Sequence, residues 1–173
     1  MIHPLHPMVA HLRFTRDEWL RGLEGVTDQE GARRFGAMNA IGWLVGHLAS
    51  HEQAYWLDRG QGRILAPEVQ ACAGGQPATT PPLGEMLTAW RTIVAASEPY
   101  LDQLDAPSLA GYWEVNGQPV RENIGTSLHR ITYHYWYHLG EMQAIRQLLG
   151  HTGLPSYVGN LSSVAYHPVE TAG

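Results

Sequence analysis

Cysteine is almost absent: Cys72 is the one thiol in 173 residues, so no internal disulfide can form. It lies in Ala71-Cys72-Ala73-Gly74-Gly75 with no neighbouring base in sequence, and reads as a loop thiol. Charge is also sparse. Eleven cationic side chains face 16 acidic ones, for a net charge of −5, and the cations are scattered. A phosphate backbone demands a clustered basic surface, so nucleic acid is excluded as a partner. No apolar run approaches the length of a bilayer span. The opening Met1-Ile2-His3-Pro4-Leu5-His6-Pro7 lacks a basic segment followed by an apolar core. A cytoplasmic protein with no membrane partner is the expectation. The length suits one domain, 1–173, with a proper hydrophobic core.

What is present is helical periodicity in four segments, separated by stretches rich in Gly, Pro and polar residues. The class is all-α, and the architecture a helical bundle. A first helix over about 4–24 carries Leu5, Met8, Leu12, Trp19 and Val26 near one stripe. A second, about 39–59, has Asn39 as N-cap and a stripe of Ile41, Leu44, Leu48, His51 and Tyr55, stopped by Gly60-Gln61-Gly62. Residues 61–81 form a long irregular connection, in which Thr79-Thr80-Pro81-Pro82 reads as a cap and first turn. The third helix, about 81–105, shows a seam of Leu83, Leu87, Trp90, Val94, Ser97, Leu101 and Leu104. Pro99 inside it predicts a kink or break. The fourth, about 120–149, aligns Ile124, Leu128, Ile131, Tyr135, His138, Met142, Ile145 and Leu149, and Gly150 stops it. Between these two, Asn116-Gly117 marks a turn with extended flanks. The tail over 150–173 reads as coil laid over the bundle, its last residues mobile.

Histidines are plentiful, and four of them are spaced for a helix face. His134 and His138 lie four residues apart on the fourth helix, and His47 and His51 repeat that spacing on the second. Side chains at i and i+4 stack on one face, so two imidazoles can converge on one ion. The ordinary account of a buried histidine pair is hydrogen bonding within the bundle. A second pair on another helix tips the reading to a metal held by at least three of the four. Small residues at Gly42 and Gly46 allow close helix approach and favour His47, leaving His51 beside the ion or as substitute ligand. Three neutral imidazoles with one open position are what a catalytic zinc-type centre needs.

The same helical wheel adds Glu141, three residues beyond His138, to orient a ligand or act as a base. Arg130, four before His134, is a candidate contact for a substrate carboxylate or a solvated side chain. Glu52 reads as an exposed carboxylate, and His129 as a surface or packing residue facing away from the ion. His151 suits the negative end of a helix dipole. His3, His6, His11 and His167 show no ligand spacing and read as solvated. Tyr133, Tyr135, Trp136 and Tyr137 belong to packing or a dimer surface, with one hydroxyl able to reach the site.

The segments Ala40-Ile-Gly-Trp-Leu-Val-Gly-His-Leu-Ala49 and His134-Tyr-Trp-Tyr-His-Leu-Gly-Glu-Met-Gln-Ala-Ile-Arg-Gln-Leu-Leu-Gly150 resemble the DinB-like superfamily. The resemblance extends to the closing Leu154-Pro-Ser-Tyr-Val-Gly159. It implies a four-helix bundle of up-down-down-up type with a long crossover, and a divalent metal held by His47, His134 and His138. Characterised relatives are thiol-dependent transferases and isomerases that use a low-molecular-weight thiol, in which the metal activates the thiol toward an electrophile. The family commonly dimerises, which implies a homodimer here. His51 is an addition to the usual helix-two motif.

Two function classes follow. One is a metal-dependent thiol S-transferase or related enzyme acting on a small electrophile, with Glu141 beside the ligands. The other is a non-enzymatic metal-binding stress-response or interaction bundle, its fourth position closed by His51 or a carboxylate. A metal-free bundle is the third alternative. A carboxylate-bridged di-iron site lacks its Glu-x-x-His pairs. Imidazoles suit several ions, with zinc expected first and nickel next.

Overall fold

The computed structural model describes residues 5–166. Six helices run in order: α1 (Pro7–Leu23), α2 (Asp28–Gly31), α3 (Ile41–Glu52), α4 (Leu83–Leu101), α5 (Ala106–Ala110) and α6 (Ile124–Leu148). A two-residue hairpin, β1 (Glu114–Val115) with β2 (Gln118–Pro119), separates the last two. Asn116 and Gly117 turn it, both with φ in the left-handed region. Local chemistry sets several boundaries. The His6 imidazole accepts from the Met8 N–H ahead of Pro7, and Thr27 with Glu30 forms a reciprocal capping box on α2. Asn123 caps α6 through the Thr126 N–H. At the other end of α6, Gly150 takes φ 86° and ends it.

Side-chain pairings fix the helix directions. Phe14 meets Trp136, and Gly22 lies against Leu139 and Met142, so α1 and α6 run parallel. Gly46 lies against Met86, and Gly60 against Tyr100, so the α3 segment and α4 are also parallel. Arg13 reaches Asp102 while Arg16 reaches Glu98, which sets α1 antiparallel to α4. The bundle is therefore up-down-down-up, with residues 60–82 as the crossover. Every residue from Ile41 to Ser50 is buried, because α3 packs on α4, α6 and the crossover at once. A Cβ at Gly46 would sit 2.7 Å from both Cys72 Sγ and Met86 Sδ. The close approach that Gly42 and Gly46 permit thus serves the crossover and α4, not the helix carrying the other histidines.

Several expectations need correction. Asn39 does not cap α3; Ala40 occupies that position without a side-chain bond. Past Glu52 the second helix continues as a π-helical turn, Gln53–Arg59, which a 3.6-residue period does not register. The Gln53 amide pins the crossover there, accepting from the Leu65 and Ala66 N–H groups and donating to the Ala66 carbonyl. The crossover contains a 3-10 turn, Pro67–Cys72, and Cys72, a free thiol, is buried at its end. Pro82 precedes α4 with no side-chain cap. Pro99 cannot donate to the Ala95 carbonyl, yet α4 continues through it and ends two residues later at Leu101. The inward seam of α4 is Leu83, Met86, Trp90, Ile93, Ser97 and Leu101, with Leu87 and Val94 on its flank. The tail is not all coil: Leu161–Val164 form a 3-10 turn, and Gly159 N–H and Ser156 carbonyl bond Glu18 and Arg21 of α1. The start of the first helix at residue 4, His3, His167 and the final tail residues lie outside the described residues.

One polar cluster crosses the apolar core. Glu52, expected on the surface, is 0% exposed. It accepts two bonds from the Arg16 guanidinium, at 2.8 and 2.6 Å, and a third from the Tyr135 hydroxyl at 2.7 Å. Trp90 Nε1 donates to that hydroxyl at 2.6 Å, and Arg16 also donates to Glu98. The carboxylates beside Arg16 raise its pKa against the opposing effect of burial. All four long helices contribute to this cluster. Deleting one member of a buried pair strands the other's charge, at about 3–5 kcal/mol. Arg16→Met is therefore expected to lower the urea-unfolding free energy by about that amount, and Arg16→Met with Glu52→Leu to recover most of it. A loss below about 1 kcal/mol in the single variant would show that the pair does not organise the core.

Candidate metal centre

Four imidazoles meet between α3 and α6. Five of the ring-centroid separations among His47, His51, His134 and His138 fall between 4.4 and 5.1 Å. His47, His51 and His134 each offer a nitrogen within 4.8 Å of the others. His134 Nε2 lies 3.2 Å from His47 Nε2 and 2.9 Å from His138 Nε2.

The outer partners decide where the protons are. His47 Nδ1 is 2.7 Å from the Cys72 carbonyl, which can only accept, so Nδ1 carries the hydrogen and Nε2 a lone pair. His138 Nδ1 is 2.9 Å from a Glu141 carboxylate oxygen. The bond from His138, with further bonds from Asn39, holds the Glu141 carboxyl below the usual range despite its partial burial, so it accepts and Nδ1 again donates. With both rings neutral, as ligation requires, two lone pairs point at His134 Nε2, which has at most one proton to give. At least one is left facing another nitrogen at close range. A cation resolves that conflict. Ligands 2.0 to 2.1 Å from a tetrahedral zinc sit about 3.3 Å apart, close to the 3.2 and 2.9 Å that separate His134 Nε2 from its two neighbours, while the group whose nitrogens all lie within 4.8 Å of one another is His47, His51 and His134.

Burial keeps these rings in the ligand form. It pushes His47 down, takes His51 to about 4 and, with the neighbouring imidazoles, takes His134 to about 3. All three are neutral at pH 7 without cost. Trp43, one turn before His47, stacks on it at 4.6 Å and 13°, and its buried Nε1 has no hydrogen-bond partner among the described residues. The indole thus serves as a flat wall rather than a donor.

The candidates singled out in the sequence come together unevenly. His47, His51, His134, His138 and Glu141 form one cluster. Arg130 stands outside it, paired with Glu122, and lines an open cleft of about 450 Å³ whose floor includes His51 and His134. His129 is exposed, stacks on Tyr133 and lines the same cleft as His51 and His134. Tyr133 and Tyr137 are exposed, and the hydroxyl of buried Tyr135 reaches Glu52 and not the histidines. His151 bonds Arg146 and Glu30, His11 is exposed, and His6 is a helix cap rather than a solvated ring. Sequence reasoning missed Asn39 as the support of Glu141, the Cys72 carbonyl and Trp43. Only Trp43, four residues before His47, left a local signal.

The sequence profile of the DinB superfamily matches residues 11–142, from the middle of α1 almost to the end of α6. The chain belongs to the DinB superfamily. No curated protein matches it. Among solved structures, the crystal structure of a conserved protein from Enterococcus faecalis is similar, with a TM-score of 0.57 at 16% identity, covering 83% of this chain and 96% of that one. At that identity the likeness concerns the fold alone.

The proton assignment is testable without any ligand. Two-bond ¹H–¹⁵N spectra of metal-free protein are expected to show His47 and His138 as Nδ1–H tautomers. Nε2–H forms at both positions would remove the lone pairs that converge on His134.

Proposed function

We propose that this DinB-superfamily protein holds one divalent metal through His47, His134 and His138, and is a metal-dependent thiol S-transferase or related enzyme acting on a small electrophile. The observation that carries the metal is the convergence of Nε2 atoms whose tautomers are set by Cys72 and Glu141. Zinc is the expected ion and nickel the next, because neutral imidazoles serve both. Bound there, the ion supplies the positive charge that lowers the pKa of a thiol, or of water, at its remaining position. The residues around it do the rest. The Cys72 carbonyl and Glu141 orient two imidazoles, Trp43 and the buried face of α3 shut water out from behind, and the cleft beside His51 and His134 admits a substrate. The overall reaction joins the thiol sulfur to an electrophilic carbon, the thiol proton passing to solvent or to the displaced group. A cytoplasmic homodimer, paired through bundle helices, accompanies this reading on the strength of the family resemblance.

A second reading has one observation in its favour. His51 places a nitrogen within 4.8 Å of those of His47 and His134, so it can complete a closed four-imidazole site whose ion only stabilises the fold. The open cleft at the histidines supports the exchangeable position instead.

Elemental analysis of untagged protein tests the metal. One equivalent in the wild type, lost in His47→Ala, His134→Ala and His138→Ala but kept in His51→Ala, is the expected pattern. Protein that takes up neither zinc nor nickel refutes the site. Glu141→Ala is expected to weaken metal affinity about 10- to 100-fold, measured by competition with a chelator, because the His138 ring loses its support. An unchanged affinity would take Glu141 out of the site.

A further inference from the structure

The chain carries no lysine; its 11 cationic side chains are all arginines, in a protein of net charge −5. Against that acidic background, two adjoining clefts share His51 as a wall. One, of about 450 Å³, carries Arg130, and the other, of about 200 Å³, carries Arg59. Among the described residues, neither is lined by an aspartate or glutamate. The Arg59 guanidinium lies over the Tyr55 ring, 4.9 Å from its centroid, and the charges of both arginines reach His51.

Glu122 shows what these cations accept. Its carboxylate takes Arg130 Nε at 2.8 Å and a second bond from the same guanidinium, and it also feels Arg121 and Arg59. The pairing is the two-pronged geometry by which guanidinium recognises carboxylate. It is also an exposed pair, of a kind that contributes only about 0–1 kcal/mol. A carboxylate that arrives on a ligand already anchored in the cleft can displace it at little cost.

We infer that the small molecule taken by this cleft bears a carboxylate, bound by Arg130 in place of Glu122 while Arg59 adds charge from the adjoining cleft. The inference rests on the thiol reading above insofar as the anchored end is a sulfur. The substrate class is thus an anionic thiol or an anionic electrophile rather than a neutral one. Glu122 is its internal stand-in, and Arg130 a specificity residue.

Two thiols of similar size, mercaptoacetate and mercaptoethanol, separate the possibilities when titrated into cobalt-loaded protein. Calorimetry reports total binding, and the thiolate-to-cobalt charge-transfer band reports ligation of the sulfur. Mercaptoacetate is expected to bind about tenfold tighter than mercaptoethanol, the fold-change of one charge-assisted contact. Arg130→Gln should abolish that preference with cobalt content unchanged, and Glu122→Gln should increase it. Equal binding of the two thiols, or a preference that survives Arg130→Gln, overturns the inference. Absence of the charge-transfer band with either thiol refutes the thiol reading separately, while the calorimetric preference and its dependence on Arg130 still decide the carboxylate site.

Discussion

The Arg16–Glu52 pair is the constraint around which the bundle is arranged. Two full charges in an apolar interior cost several kcal/mol each to desolvate, and only excellent geometry with further hydrogen bonds offsets that. Here the guanidinium bonds both oxygens of Glu52, and Tyr135 adds a third donor. Glu52 follows His51 in the chain, and Tyr135 follows His134. Satisfying the charged pair therefore sets the relative height and rotation of α3 and α6, and with them the spacing of the four imidazoles. A slip of one helix by a turn would bury an unpaired carboxylate as well as separate the histidines.

The histidine cluster is held from outside as firmly as from within. A carbonyl from the crossover and a carboxylate from α6 bind the far nitrogens of His47 and His138, and Asn39 steadies that carboxylate from just before α3. The crossover, often the most variable part of a bundle, is here part of the site. Its 3-10 turn is fixed by the packing of Cys72 against Gly46 and by the Gln53 amide. The π-helical turn that carries Gln53 begins directly after Glu52, so the buried pair, the crossover and the ligand orientation are connected through a short run of chain.

Much of this was legible in the sequence. The i, i+4 histidines, the apolar stripe of α6, the Gly150 stop and the Asn116-Gly117 turn are local signals, and the structure carries each. What was not legible depends on distant partners. Glu52 looks like an exposed carboxylate until Arg16, 36 residues away, comes to meet it. Asn39 has the right chemistry for a helix cap and spends it on Glu141 instead. Pro99 reads as a break because its position relative to the end of α4 is invisible in advance. The π-helical turn escaped because a 3.6-residue template has no place for an extra residue. Spacing could not choose between His47 and His51, and the structure places a nitrogen of each beside His134.

In the proposed site three imidazoles, and not two or four, form the metal's protein ligand set. X-ray absorption at the zinc edge of zinc-loaded protein tests it most directly. The expected result is outer-shell scattering from three imidazoles at zinc–nitrogen distances of about 2.0 Å, with one further light ligand that exchanges when a thiol is added. Four imidazoles with no exchangeable position, or a shell dominated by carboxylate oxygen, would contradict it.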